Sequence, residues 1–288
     1  MTLRHFLYLT LMSQWLSGNL RIHIWGGLGS QLFALATALD LKFNTRHKDL
    51  TLVLHNGGVT LRESEINLLT EDFPVELISD FMEPTGFACD TNSFSLRKIA
   101  SRLFKYLGVI DSLDSRKYPL IWAISLRGHY TYRRVNEMAL TEIIQRMAKI
   151  SPGFGEPVKK TTAVGIQYRL GDLEFLSTKH FVEPIRILKL LEKLSNSHVH
   201  VYSDSLDSAR NKLNLAEASF FDLSAIETIS KLISYHEFIG TNSKISQWVV
   251  LFRLYFASDA RCWLPIEFKD QFYRSLPASI TPTNLFFY

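Results

Sequence analysis

The sequence predicts an α/β protein in two halves, each built on a mostly parallel sheet covered by helices. Two observations predict it. Near the start, a glycine-rich turn joins an apolar run to a helical pattern, and beyond residue 157 short apolar runs alternate with helical patterns to near the end. Between them lies Ser151-Pro152-Gly153-Phe154-Gly155-Glu156-Pro157, whose prolines and glycines read as a break. The halves expected are 1–155 and 156–288.

Leu20–Trp25 is an apolar run that reads as a buried strand. Gly26-Gly27-Leu28-Gly29 follows as a tight turn, and Leu32, Phe33, Leu35, Ala36, Leu39 and Phe43 then recur at helical spacing. Thr51–Leu54 is the next strand, and helices are expected over Arg97–Leu107 and Leu140–Lys149. In the second half strands are expected over Ala163–Tyr168, Val199–Tyr202, Ala218–Phe221 and Glu237–Ile239, with Arg261–Leu264 as the last. The helices between them are expected over Val182–Leu194, Ser205–Leu213, Ala225–Ser234 and Ser243–Phe256.

The composition, 47% hydrophobic and 21% charged over 288 residues, is that of a globular chain able to bury a core without staples. Its cysteines, Cys89 and Cys262, have neither CxxC nor Cys/His spacing, which excludes a disulfide framework and a zinc motif. The formal charge of +4 is unevenly spread: Glu63–Asp90 carries eight acids and no base, whereas Arg97–Lys149 carries eleven bases and four acids. Such a basic stretch is either a solvated face or a contact for an anionic partner, a lipid-linked phosphate or a membrane surface. No nucleic-acid motif accompanies it. No uninterrupted apolar run of about 20 residues predicts a membrane span. Phe6–Leu16, apolar but interrupted by Gln14, is expected as a packed or membrane-touching helix rather than a secretion signal.

Four segments sit where a predicted strand ends. Gly26-Gly27-Leu28-Gly29-Ser30-Gln31 is either a tight βα turn or a loop whose backbone approaches a ligand. Leu32 stands where a dinucleotide fingerprint needs its third glycine, which argues against a nicotinamide dehydrogenase. Gln167-Tyr168-Arg169-Leu170-Gly171-Asp172 offers Arg169 either to a surface pair with Asp172 or to a pyrophosphate, which a guanidinium fork suits. In Tyr202-Ser203-Asp204, Ser203 or Asp204 caps the next helix or meets a ribose or base. Thr241, Asn242 and Ser243 likewise cap a helix or hold phosphate oxygens. In a parallel sheet such ends lie side by side, so their loops converge on one crevice.

Together these segments resemble the α-1,2-fucosyltransferases of glycosyltransferase family 11. Gly26-Gly27-Leu28-Gly29-Ser30-Gln31-Leu32-Phe33 resembles that family's GGLGNQ(M/L)F signature, with Ser30 for Asn. Gln167 to Asp172 resembles its HxRRGD motif, Tyr202-Ser203-Asp204 its FSDD segment, and Asn242 to Trp248 its NSSFSWW segment, with Gln247 for a Trp. The four occur in the family order from about residue 21 to 256. The resemblance implies a GT-B-like architecture, two Rossmann-like halves facing a cleft, with the acceptor on the N-terminal half and a GDP-sugar on the C-terminal half. It implies an inverting transfer of fucose from GDP-fucose to a galactose-type hydroxyl, without metal or other cofactor; the absence of an Asp-x-Asp pair agrees. The expected catalytic residues are Arg169, which would stabilise the leaving diphosphate, and Asp172, a candidate base. His23 and His180 are weaker candidates, and the pattern does not say which face of its strand His23 occupies. The expected donor-binding residues are Gly27, Gly29, Gln31, Gln167, Arg169, Ser203, Asp204, Asn242, Ser243 and Ser246.

Gln167 replaces the family's His and Leu170 its second Arg. Gln167 carries no charge and cannot act as a base, so the donor pocket loses a cation. These departures leave open a different nucleotide sugar or a catalytically silent nucleotide-sugar-binding protein. The expected acceptor is a saccharide, lipid-linked or free, of a surface polysaccharide such as O-antigen. The expected location is the cytoplasm, with peripheral contact at the inner face of a bacterial inner membrane through the basic 97–149 stretch.

Overall fold

A computed structural model describes residues 19–45, 49–55, 73–78, 123–128, 133–155, 163–171, 181–194, 198–256 and 261–288, with isolated positions between them. Asp172, His180, Cys89, the 6–16 segment, most of the acidic 63–90 stretch and part of the basic 97–149 stretch lie outside the described residues. The chain divides into two compact units, Met1–Leu140 and Thr141–Tyr288. Each is a parallel sheet flanked by helices, the two Rossmann-like units of a GT-B-like chain.

In the first unit β1 (Leu20–Trp25), β2 (Leu50–His55), β3 (Val75–Ile78), β4 (Ile110–Asp111) and β5 (Ser125–Arg127) lie in the order β3-β2-β1-β5-β4. Every printed pair is parallel. Helix α1 (Leu28–Asn44) packs along β1, with Leu32, Ala34 and Leu35 fully buried. Alternation along β1 sets Leu20, Ile22 and Ile24 on one face and Arg21, His23 and Trp25 on the other. Strands β3 to β5, each four residues or shorter, were not expected from the sequence.

The second unit carries β6 (Ala163–Gln167), β7 (His198–Tyr202), β8 (Ser219–Phe221), β9 (Glu237–Ile239), β10 (Arg261–Leu264) and β11 (Leu285–Phe287). Its helices are α2 (Glu137–Ile150), whose first turn precedes the unit, α3 (Pro184–Leu194), α4 (Leu206–Leu213), α5 (Ala225–Leu232), α6 (Lys244–Phe256) and α7 (Lys269–Ser275). The strand order is β11-β10-β9-β6-β7-β8, parallel throughout. The chain builds outward from β6 to β7 and β8, then crosses back to start again at β9 on the other side of β6. That reversal makes the C-terminal ends of β6 and β9 the topological switch point, where open α/β sheets leave a crevice. One correction follows: β10 is not the last strand. Leu285–Phe287 pairs beside it, Cys262 opposite Leu285.

Val164, Ile166, Tyr168, Leu170, Val201 and Ile239 form one buried cluster with Ile187 and Leu190 of α3. On the other side α5 and α6 pack together, and Arg253 of α6 is fully buried beneath them. Its guanidinium donates to the carbonyls of Leu232 and His236, both at 2.9 Å, and to that of Tyr235. The cation thus sits at the negative C-terminal end of α5, where the last carbonyls lack helical partners. The described part of the 151–157 segment is a tight turn held against α6: Phe154 meets Phe252 and Phe256 edge-on at 5.2 and 5.8 Å. Cys262 is buried, and its Sγ accepts the Arg253 Nε–H at 3.3 Å. Among the described residues no helix is long and apolar enough to cross a membrane.

Candidate functional site

The switch point gathers residues from three loops. Leaving β6, the chain passes through Tyr168, whose N–H donates to the Tyr202 carbonyl at 2.9 Å and prolongs the β7 pairing. Half-buried Arg169 follows. Its backbone N–H donates to Thr241 Oγ1 at 3.1 Å, and that hydroxyl donates to the Gln167 carbonyl at 2.8 Å. Thr241 therefore stitches the end of β6 to the end of β9. The Arg169 side chain faces Asp204 after β7, Nε to Oδ2 at 3.8 Å. Asp204 also accepts the Leu170 N–H at 3.0 Å through Oδ1. Gly171 lies at φ +24°, and a Cβ there would stand 2.6 Å from Asp204 Oδ2. A bare backbone is needed at that position for the carboxylate to reach both neighbours.

The third loop runs from Gly240 into α6. Ser243 Oγ accepts the Ile245 N–H at 3.1 Å, so the capping alternative holds for Ser243. It does not hold for Asp204: the residue preceding α4 is Ser205, without a side-chain cap bond, while Asp204 turns to Leu170 and Arg169. Ser203 Oγ stays local, accepting the Ser205 N–H at 3.2 Å. Ser246 Oγ accepts the Thr241 N–H at 3.0 Å and donates to Gln167 Oε1 at 2.6 Å. Asn242 lies half-buried in the same turn. Gln167, Arg169, Asp204, Asn242, Ser243 and Ser246 thus meet at the C-terminal ends of β6, β7 and β9, where a guanidinium, a carboxylate, hydroxyls and a helix N-terminus come together.

Sequence reasoning passed over Lys244. This half-buried first residue of α6 has its pKa pushed down to about 8, first by burial and then by the positive charge of Arg169. The signal was present in the resemblance, since Lys244 stands at the second Ser of NSSFSWW.

Gly27, Gly29 and Gln31 belong to the first unit. Gly26 turns the chain at φ +86°, open to glycine at little cost. Gln31 Nε2 donates back to the Gly26 carbonyl at 3.0 Å and fixes the loop to α1. Beside this loop Trp25 stacks on His55, centroids 4.4 Å apart. His55 Nε2 in turn meets His23 Nδ1 at 2.8 Å. His23 is 1% exposed, and burial, followed by Arg127 and Arg21, holds its pKa well below the usual histidine value. It is therefore neutral near pH 7. Burial also lowers Arg127, to about 10. Among the described residues no group of three or more His, Cys, Asp or Glu side chains could hold a metal ion.

No protein-family model and no curated protein matches the chain. Solved structures do. The E. coli heptosyltransferase WaaC with ADP aligns at 10% identity over 90% of this chain and 92% of that one, with a TM-score of 0.42. The fucosyltransferase NodZ from Bradyrhizobium aligns at 15% identity over 81% and 93%, with a TM-score of 0.45. POFUT1 in complex with GDP-fucose aligns at 14% identity over 92% and 98%, with a TM-score of 0.36. Likenesses at these identities and TM-scores carry no argument about activity.

Proposed function

We propose that this chain is a glycosyltransferase that takes its sugar from a nucleoside diphosphate, with GDP-fucose as donor, and inverts the anomeric carbon without a metal. The observation that carries the reading is Arg169, held half-buried at the switch point of the second sheet between Asp204 and the start of α6. The four segments that resemble α-1,2-fucosyltransferase motifs suggest the donor, and three of the four meet at the C-terminal ends of the second sheet's strands.

In the proposed reaction a galactose-type hydroxyl of a surface-polysaccharide precursor attacks C1 of the fucose. The new bond forms from the acceptor oxygen to C1 as the bond from C1 to the diphosphate oxygen breaks. The electron pair leaves on the diphosphate, and the hydroxyl proton passes to a base, for which Asp172 is the candidate. Charge grows on the diphosphate as the bond opens, so a fixed guanidinium stabilises the transition state more than the ground state. In this reading the first unit takes the acceptor, while Gly27, Gly29 and Gln31 remain candidates for donor binding.

The test is a nucleotide panel followed by turnover. Saturating GDP should raise the melting temperature, since a ligand at 100 times its Kd adds about 2.7 kcal/mol. GDP-fucose with a galactose-containing acceptor should then release GDP. Arg169→Ala should lower kcat/KM by about 100-fold or more. Full turnover by that variant removes the assigned role, a shift with UDP but not GDP removes fucose as donor, and saturable binding with no product on any acceptor favours a silent binding protein.

A further inference from the structure

We infer that Tyr288 is a positioning residue of the proposed donor site: its hydroxyl fixes the peptide that leads into Thr241, and through Thr241 the backbone of Arg169. This rests on the proposed nucleoside-diphosphate donor, with Arg169 as the residue that meets it, and adds what holds that residue in place.

A proline interrupts the ladder at this point. Strands β9 and β10 run parallel with Ile239 opposite Trp263, and the Gly240 N–H donates to the Trp263 carbonyl at 2.8 Å. In a parallel ladder the carbonyl of the same residue accepts from the residue two places further along the partner strand, here Pro265. Proline has no N–H to give, and a buried carbonyl is costly to leave unpaired. The Tyr288 hydroxyl takes the role instead and donates to the Gly240 carbonyl at 2.9 Å. Burial raises the Tyr288 pKa above the usual tyrosine value, so the hydroxyl stays protonated and able to donate.

That bond completes the hold on one peptide unit. The Gly240 C=O and the Thr241 N–H belong to the same planar group. Tyr288 holds the C=O, and Ser246 Oγ accepts the N–H at 3.0 Å. With both sides held the plane cannot turn, and this sets the place of Thr241 Oγ1, which bridges the Gln167 carbonyl and the Arg169 N–H. Tyr288 is itself fixed from several sides. Its N–H donates to the Leu264 carbonyl at 3.0 Å, and its carbonyl accepts the Ile266 N–H at 2.9 Å. The Arg186 guanidinium of α3 also donates to that carbonyl and lies over the ring, 5.5 Å from its centroid. Arg186 in turn is forked onto Glu267 at 2.7 and 3.2 Å. The ring packs against the buried cluster around Tyr168 and Leu170. The hydroxyl thus comes from a side chain with little freedom, which suits it to hold a group whose electrostatic effect depends on exact placement.

The experiment compares Tyr288→Phe with the wild type by calorimetric titration with GDP and UDP and by melting temperature. The variant keeps the ring and its packing and loses only the hydroxyl. Affinity for whichever nucleotide the wild type binds should fall about tenfold, the worth of roughly one hydrogen bond. Adding Pro265→Ala gives the ladder its own N–H opposite the Gly240 carbonyl and should return most of the lost affinity. A purely structural role would lower the melting temperature and leave the affinity of the folded protein as it was. A Tyr288→Phe protein that binds as tightly as the wild type therefore overturns the inference, whatever its melting temperature, and leaves the donor reading standing. A loss that Pro265→Ala does not restore also overturns it, since the hydroxyl would then not act through the Gly240 carbonyl. If the wild type binds neither GDP nor UDP, the donor reading itself falls, and this inference with it.

Discussion

The hydroxyl of Ser246 donates to the Gln167 carboxamide at 2.6 Å, and both residues are buried, at 0% and 7% exposure. The bond ties the last residue of β6 to the first turn of α6, at the topological switch point. Gln167 stands where the resembling family has histidine, and here it serves as an uncharged acceptor that holds α6 in place. Gln167→Ala leaves the Ser246 hydroxyl without this acceptor and should cost about 1–3 kcal/mol, read by denaturant unfolding. Ser246→Ala in the same background should cost less than it does in the wild type, since the bond to Gln167 is already gone and only the one from the Thr241 N–H remains to be lost. Additive losses would mean that the bond does not couple them.

Gly171→Ala should act on Asp204. The new Cβ would meet Oδ2 at 2.6 Å, on a backbone at φ +24° that side chains rarely adopt. The carboxylate must then withdraw from Leu170 N–H or from Arg169. We expect a loss of about 1–3 kcal/mol in stability and a weaker GDP response in the thermal-shift panel. Unaltered melting and GDP response would show that Asp204 does not position Arg169.

Arg253→Leu should be the most destabilising of these changes. It conserves apolar bulk but strips the donors from the carbonyls of Leu232, Tyr235 and His236. With several buried acceptors stranded at about 1–3 kcal/mol each, a loss of at least about 3 kcal/mol is expected by denaturant titration. A loss near zero would place those carbonyls in water.

Acid should weaken the first unit through His23. Its folded pKa is held below the usual 6.5 by burial, then Arg127 and Arg21, against a smaller raising effect of Glu76. The unfolded chain therefore binds more protons below about pH 6.5, and stability falls as pH drops through that value toward the folded pKa. The facing groups are His55, Arg21, Arg127 and Glu76. Melting temperatures from pH 7 to 5 should fall more steeply for the wild type than for His23→Asn. Parallel slopes would show that His23 is not the group responsible.

By itself the sequence determined the elements whose pattern is local. Leu20–Trp25, Ala163–Gln167 and Glu237–Ile239 are strands between turn signals, and Ser30–Phe43 and Ser243–Phe256 carry helical spacing within a residue or two of the observed ends. The second-half motifs were legible for the same reason, since each sits where a strand stops. Tertiary structure decided what depends on pairing between distant segments. Strand order alone sets β6 beside β9 and brings Arg169 to Thr241 across 72 residues of chain. It also decided the environment of His23: alternation sorts the two faces of β1 but does not say that both are buried, or that His55 arrives from the next strand. Local periodicity fixes which way a side chain departs from its own strand, and only the packing of the rest of the chain fixes what it meets there.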